Sequence, residues 1–243
     1  MSELSNYIDE YLKTEYTLKS TLKDSVQSSV YLYQKNDSAK QIVKISQKNR
    51  NDHVLRRLRG QLNKNTATIY EVCSNDEDVT VLEEYISGAT LRHIVEANGG
   101  TLKRELAVKY ALDICNGLVF IHSLGIIHRD IKPSNIIITE QGEAVIIDFG
   151  IARLTDDSKY ADTKNLGTAG YAAPEQFGIY QSDPVTDIYA VGVLLNELLL
   201  GVHPTIDTPK GKLGKVINKC IMAQMSKRYQ NVSELAEVLN KLL

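Results

Sequence analysis

The chain has 243 residues with a net charge of −2, 43% hydrophobic and 24% charged residues. That is the composition of an ordinary water-soluble globular protein with enough length for one larger domain or two small lobes, and the charge offers no attraction to nucleic acid or a membrane surface. Three widely spaced cysteines (Cys73, Cys115 and Cys220) define neither a disulfide framework nor a metal site and suit a reducing cytoplasm. The N-terminal stretch MSELSNYIDEYLK is polar and amphipathic, unlike a signal peptide. No apolar run approaches the roughly 20 residues that cross a bilayer.

In chain order, residues 16–86 read as strand-rich. VYLY (30–33) and QIVKI (41–45) are β-type runs joined by a linker carrying the turn formers Asn36, Asp37 and Ser38, which predicts a hairpin. A basic helical segment, NDHVLRRLRGQLN, precedes two further strand-like runs, TATIYEV and DVTVLEEYI. From residue 101 the period changes to that of helices. Leu106, Tyr110, Ile114, Leu118 and Ile121 share one face, with Gly125 as a stop. VTDIYAVGVLLNELLLG predicts a helix buried on most sides and ending at Gly201; the last helix opens at Asn231 with Glu234 three residues on. A small β-rich lobe (about 16–86) with one helix, joined near Ser87-Gly88 to a larger, mostly helical lobe (about 87–243), is the expected α+β architecture.

Between two isoleucine runs, IIHRDIKPSNIII places Asp130, Lys132 and Asn135 within six positions. A turn needs only Gly, Asn or Asp. A carboxylate, an ammonium and a carboxamide so close together can take a proton, neutralise developing negative charge and ligate a hard metal; the bland alternative is a loop that solvates its own backbone. Ten residues further on, VIIDFG delivers Asp148 from a strand, and upstream QIVKI delivers Lys44. GTAGYAAPE and a helix carrying Asp187 follow.

These motifs, in this order, resemble those of the eukaryotic-type protein kinase catalytic domain, in a bacterial-like form, from about Tyr16 to the C-terminus. The resemblance implies a bilobal kinase fold, ATP and Mg²⁺ as cofactors, and transfer of the γ-phosphate to Ser or Thr hydroxyls of a protein, autophosphorylation included. It assigns Asp130 to the substrate hydroxyl, Lys132 to the migrating phosphoryl group, Lys44 to the α- and β-phosphates, and Asn135 with Asp148 to the metal. Val30 and Ile42 become the roof of the adenine pocket, Ile137 its floor, and Glu84 and Ile86 its hinge. Glu175 and Arg228 match a buried ion pair, and Asp187 matches a brace for the catalytic-loop backbone. His128 is expected to pack under Phe149, and His93, His122 and His203 are read as ordinary structural histidines. Lys132 two residues after Asp130, together with Thr168, points to Ser/Thr specificity. Ala173-Pro174-Glu175 points to protein rather than small-molecule substrates.

Two departures stand out. The glycine-rich phosphate loop of the family is replaced by LKDSVQSSV, with Lys23, Ser25 and Ser28 where glycines belong. Serines offer N–H and hydroxyl donors but approach phosphate less closely than glycine. Secondly, no glutamate occurs between Lys44 and Glu71, and Val54 or Leu55 stands where a helix glutamate would pair with Lys44. Glu83, on a strand face with Val79 and Val81, aligns with the back wall of the adenine pocket. It either replaces the helix glutamate as partner of Lys44 or is protonated or solvated there. These departures keep a nucleotide-binding pseudokinase or scaffold as the alternative to an active enzyme. Arg129 is the family's usual partner for a phosphate on the activation segment, and Thr163 or Ser158 is the expected site of autophosphorylation. The segment after Leu200 is shorter than usual in the family, which leaves open how a protein substrate docks; the sequence does not specify an oligomeric state.

Overall fold

A computed structural model describes residues 3–26, 28–48, 51–75, 77–156, 168–177 and 181–243. The chain divides into two compact units. One contains residues 1–63 and 67–86, the other 64–66 and 87–243.

The smaller unit is built on a five-stranded antiparallel sheet in the order β1-β2-β3-β5-β4. The strands are β1 (Tyr16–Asp24), β2 (Ser28–Lys35), β3 (Gln41–Lys48), β4 (Ile69–Ser74) and β5 (Asp78–Glu84). The predicted hairpin is β2–β3, and the basic segment forms α2 (Asp52–Leu58). Ahead of the sheet stands a second helix, α1 (Glu3–Glu15), where one helix was expected.

Pairing register decides what each sheet face carries, because directly opposed residues of antiparallel strands point to the same side and neighbours along a strand alternate. Lys44 lies opposite Tyr31 and Leu82, and Ile42 opposite Tyr33 and Glu84. Leu82, Ile42 and Cys73 are buried in one cluster with Ile8, Leu12 and Tyr16, so α1 covers this face. Ile8 and Leu12, four residues apart, form the buried apolar face of α1, and Tyr16 at the start of β1 joins them. Val43, opposite Glu83 and Leu32, belongs to the other face. Here α2 approaches: Asp52 accepts the Ser74 hydroxyl at 2.8 Å, and Arg56 donates to the same hydroxyl at 2.9 Å.

The larger unit contains β6 (Gly88–Thr90), α3 (Leu91–Ala97), α4 (Arg104–Ser123), β7 (Ile126–Ile127), β8 (Ile136–Thr139), β9 (Ala144–Ile146), β10 (Arg153–Leu154), α5 (Pro184–Leu200), α6 (Lys212–Cys220) and α7 (Val232–Asn240). The isoleucine runs flanking Asp130 are β7 and β8, which join two separate small sheets, β10-β7 and β6-β8-β9. Helix α4 is the spine of the core, packed on α5, α7 and β9. Asp183 caps α5 through a reciprocal bond with Thr186, and Gly201 ends it in the left-handed region at φ 68°. Asn231 caps α7 by accepting the Glu234 N–H at 2.9 Å.

Close approach of α5 and α6 depends on Gly192. A Cβ there would stand 2.5 Å from Cys220 Cβ and 3.1 Å from Ile221 Cγ2. Overpacking costs about 1–3 kcal/mol, and alanine's better helix propensity returns about 1 kcal/mol. Because the nearest obstacle is a Cβ fixed to a helix backbone, the clash dominates. Gly192→Ala is therefore expected to lose about 1–2 kcal/mol in a denaturant titration; a variant as stable as the parent would show that α6 shifts freely.

Candidate active site

The reaction centre suggested by the sequence is assembled in the larger unit. Asp130 follows β7 and Asn135 closes a short 3-10 turn (Pro133–Asn135) before β8. The Asp130 carboxylate receives three donors. Thr168 Oγ1 donates to Oδ1 at 2.7 Å, while Lys132 Nζ at 2.7 Å and Asn135 Nδ2 at 2.9 Å reach Oδ2. Lys132 also donates to Thr168 Oγ1 at 2.7 Å, which closes a triangle of hydroxyl, ammonium and carboxylate. Asn135 Nδ2 further donates to the Asp130 carbonyl at 3.0 Å. With its nitrogen so engaged, Asn135 keeps Oδ1 as its oxygen donor.

The backbone around this cluster is strained and held from several sides. Arg129 (φ 67°) and Asp148 (φ 64°) are the non-glycine residues in the left-handed region among those described. Such conformations cost of order 1–3 kcal/mol and persist where neighbours over-determine them. Asp187, from the first turn of α5, accepts the His128 N–H at 2.9 Å and the Arg129 N–H at 2.8 Å. Gln176 Nε2 donates to the Arg129 carbonyl at 2.9 Å. His122 contacts Asp187 at 2.8 Å. Burial alone would push the Asp187 carboxyl up, but His122, with help from His128, holds it below the usual carboxylate range. His122 thus orients the brace, a role unseen in the sequence because it sits 65 residues away. Gln176 is a second support that no motif in the sequence singles out, because it lies 47 residues from Arg129.

His128 stacks edge-on to Phe149 with ring centroids 5.3 Å apart, as expected of the pair. Burial drives its ring pKa down, favouring the neutral form. Asp148 is exposed and accepts the Gly150 N–H at 3.0 Å. Its carboxylate and Asn135 Oδ1 are hard oxygen donors of the kind Mg²⁺ takes while keeping most of its water. Ile137, on β8 opposite Thr90 and Val145, is half-buried. Arg129 Nε donates to the Ile151 carbonyl at 2.8 Å. Ser158 and Thr163 lie outside the described residues.

The smaller unit corrects several expectations. Lys44 Nζ meets Asp9 Oδ1 of α1 at 2.5 Å. Glu83 is not its partner, because the register puts Glu83 on the opposite sheet face, with Val43. Asp52 is turned to Ser74 and Arg56. Burial would raise the Asp52 carboxyl, yet those two contacts leave it lowered. Val54 and Leu55 are buried, in agreement with a helix that supplies no carboxylate at those positions. Val30 and Ile42 also fall on opposite faces and cannot roof one pocket together. Ile42 is 2% exposed, covered by α1 rather than open to a ligand.

The serines of the β1–β2 connection are bonded to each other. Ser25 N–H and Oγ donate to the Ser28 carbonyl at 3.0 and 2.9 Å, and Ser28 N–H donates to Ser25 Oγ at 3.1 Å. They stitch a hairpin rather than hold their donors free. Even so, Ser25, Ser28 and Lys44 line one polar cavity of about 500 Å³, with Asp9, Ser46, Lys48 and Thr80. Glu84, at the end of β5, donates its N–H to the Thr68 carbonyl at 2.9 Å and accepts the Thr68 N–H at 3.2 Å. Ile86 is partly buried at the last position of the unit.

A carboxylate fixed beside an ammonium and a carboxamide, followed by an exposed aspartate on a strained turn, is the equipment of a phosphoryl-transfer centre. Comparison with known proteins agrees. Residues 14–243 match the protein kinase domain family, and the chain belongs to that family. It is 33% identical over 204 residues (74% of this chain, 31% of the relative) to a probable serine/threonine-protein kinase of Clostridium acetobutylicum. A probable serine/threonine-protein kinase of Clostridium perfringens is 32% identical over 223 residues (79% of this chain, 32% of the relative). The serine/threonine-protein kinase PknB of Mycolicibacterium smegmatis is 41% identical over 133 residues (53% of this chain, 21% of the relative). The chain thus spans about a third or less of the length of these curated relatives. Among the described residues no helix is long and apolar enough to cross a membrane.

Proposed function

We propose that this chain is a Mg·ATP-dependent serine/threonine protein kinase. The observation that carries the reading is the closed cluster of Asp130, Lys132, Asn135 and Thr168. Asp130 takes or orients the proton of the acceptor hydroxyl as its oxygen attacks the γ-phosphorus and the bond to the bridging oxygen of ADP breaks. The Thr168 hydroxyl donates a hydrogen bond to the Asp130 carboxylate at 2.7 Å, the kind of contact an acceptor hydroxyl would make there. Lys132, bonded to Asp130 at 2.7 Å, is assigned to offset the negative charge of the moving phosphoryl group. Lys44 would hold the non-transferring phosphates, and Asn135 and Asp148 would hold Mg²⁺, which when bound neutralises phosphate charge. Glu84, Ile86 and Ile137 are assigned to the adenine end; Val30, on the sheet face opposite Lys44, is not. Ser or Thr as acceptor and a protein as substrate follow from the kinase resemblance, and the cytoplasm as location from the widely spaced, free cysteines.

Incubation of the purified chain with γ-labelled ATP, Mg²⁺ and a generic basic protein, followed by phosphosite mapping, tests the proposal. Label on Ser or Thr of the protein or of the chain itself is expected. Nucleotide binding without label would make it a pseudokinase, and label on tyrosine or only on a small molecule would change the acceptor class.

A further inference from the structure

Resting on the kinase reading, we infer that Asp9 of α1 is a positioning residue for Lys44, supplying from the N-terminal helix the carboxylate that α2 lacks. Asp9 sits beside Ile8, which with Leu12 anchors α1, together with Tyr16 of β1, on the face carrying Ile42, Lys44 and Leu82. Anchoring delivers its carboxylate to Lys44 at 2.5 Å, with the lysine side chain 14% and the aspartate 34% exposed. Of the other acids, Asp52 is bonded to Ser74 and Arg56, Glu83 lies on the opposite face, and Asp78, which lines the same cavity, pairs with Lys48 at 2.9 Å. Residues 14–243 match the family, so this carboxylate comes from ahead of the matched region.

The pair is not sealed off. Asp9 and Lys44 both line the polar cavity of about 500 Å³ that also holds Ser25, Ser28, Ser46 and Thr80. Glu77 and Lys48 also line it, Lys48 paired with Asp78 at 2.9 Å, and Ser25 Oγ is taken by the Ser28 carbonyl, so the Lys44 ammonium, held by Asp9 at the wall of this space, is the group suited to a phosphate oxygen. A lysine with four flexible methylenes loses entropy when it is fixed on such a ligand. A carboxylate that already fixes the ammonium at the cavity wall removes part of that loss before the ligand arrives. Asp9 touches Lys44 and acts through it.

The test compares the full-length parent, Asp9→Asn, Asp9→Glu, Lys44→Met and the double variant Asp9→Asn/Lys44→Met. Its readouts are phosphotransfer kinetics and the affinity for Mg·ADP by titration calorimetry. Asp9→Asn is expected to weaken Mg·ADP binding and raise the KM for ATP, each about tenfold, with Asp9→Glu restoring part of the loss. In the Lys44→Met background, Asp9→Asn should change nucleotide affinity no further. Loss that persists undiminished in that background would show Asp9 to be a structural anchor only. Tighter nucleotide binding by Asp9→Asn would overturn the inference in favour of α1 as a competitor of phosphate, and unchanged binding would overturn it outright. A parent chain that transfers no phosphate sinks the kinase reading instead, while the Mg·ADP titrations still decide the role of Asp9.

Discussion

Asp130→Asn should lower the turnover of phosphoryl transfer by about 10²–10⁴-fold, the range associated with a positioned proton acceptor, while the KM for ATP stays within a few-fold of the parent. The substitution is isosteric. The amide oxygen can still accept from Lys132 or Asn135, which now reach Oδ2 at 2.7 and 2.9 Å. What disappears is the charge and the ability to take a proton at Oδ1, where Thr168 now donates at 2.7 Å. Melting temperature measured alongside separates chemistry from folding. A variant that stays folded and keeps parental turnover would remove Asp130 from the mechanism.

Arg228→Met is expected to have the largest effect on stability. Arg228 and Glu175 are buried, at 2% exposure each. Their paired bonds measure 2.6 and 2.8 Å, and Thr186 Oγ1 donates to Glu175 at 2.9 Å. Arg228 also donates to the carbonyls of Val185, Met222 and Ala223. Removing one partner of such a pair leaves an uncompensated buried charge and costs about 3–5 kcal/mol, a large share of the 5–15 kcal/mol typical of a domain.

The pH dependence gives a second check. Burial would push the Glu175 carboxyl up, but Arg228 outweighs it and holds the group below its ordinary value of 4.5. In the parent this contribution is present above pH 4.5 and lost as pH falls through the lower folded-state value. Without Arg228, burial prevails and the carboxyl is raised, so protonation relieves the penalty. The gap in melting temperature between parent and variant should therefore narrow from pH 8 towards pH 5. A gap that is small at pH 8, or that widens on acidification, would refute this account.

Much of the reaction centre was legible in the sequence because its parts are local. Asp130, Lys132 and Asn135 sit within six residues, mounted between two short apolar strands. The spacing that brings their side chains together is a property of one turn. Asp187 was readable as a brace through the resemblance, but its bond to His122 was not, since it joins two helices of the larger unit. Likewise Gln176 reaches the Arg129 carbonyl across 47 residues.

The smaller unit was harder to read, for a reason of parity. A one-residue change in strand pairing moves every side chain to the other face, and the β2–β3 turn sets that pairing. From the sequence, Val30, Ile42, Lys44 and Glu83 all seemed destined for one pocket. The register separates Ile42 and Lys44 from Val30 and Glu83. The sequence by itself determined the β-rich and helical character of the two units, the absence of a glutamate on α2 and the residues of the candidate catalytic loop, because periodicity and short-range turn chemistry decide those, but not α1. Only the tertiary structure decided which carboxylate faces Lys44. That choice depended on the face to which β3 turned its lysine and on the helix, 35 residues upstream, whose apolar stripe covers it.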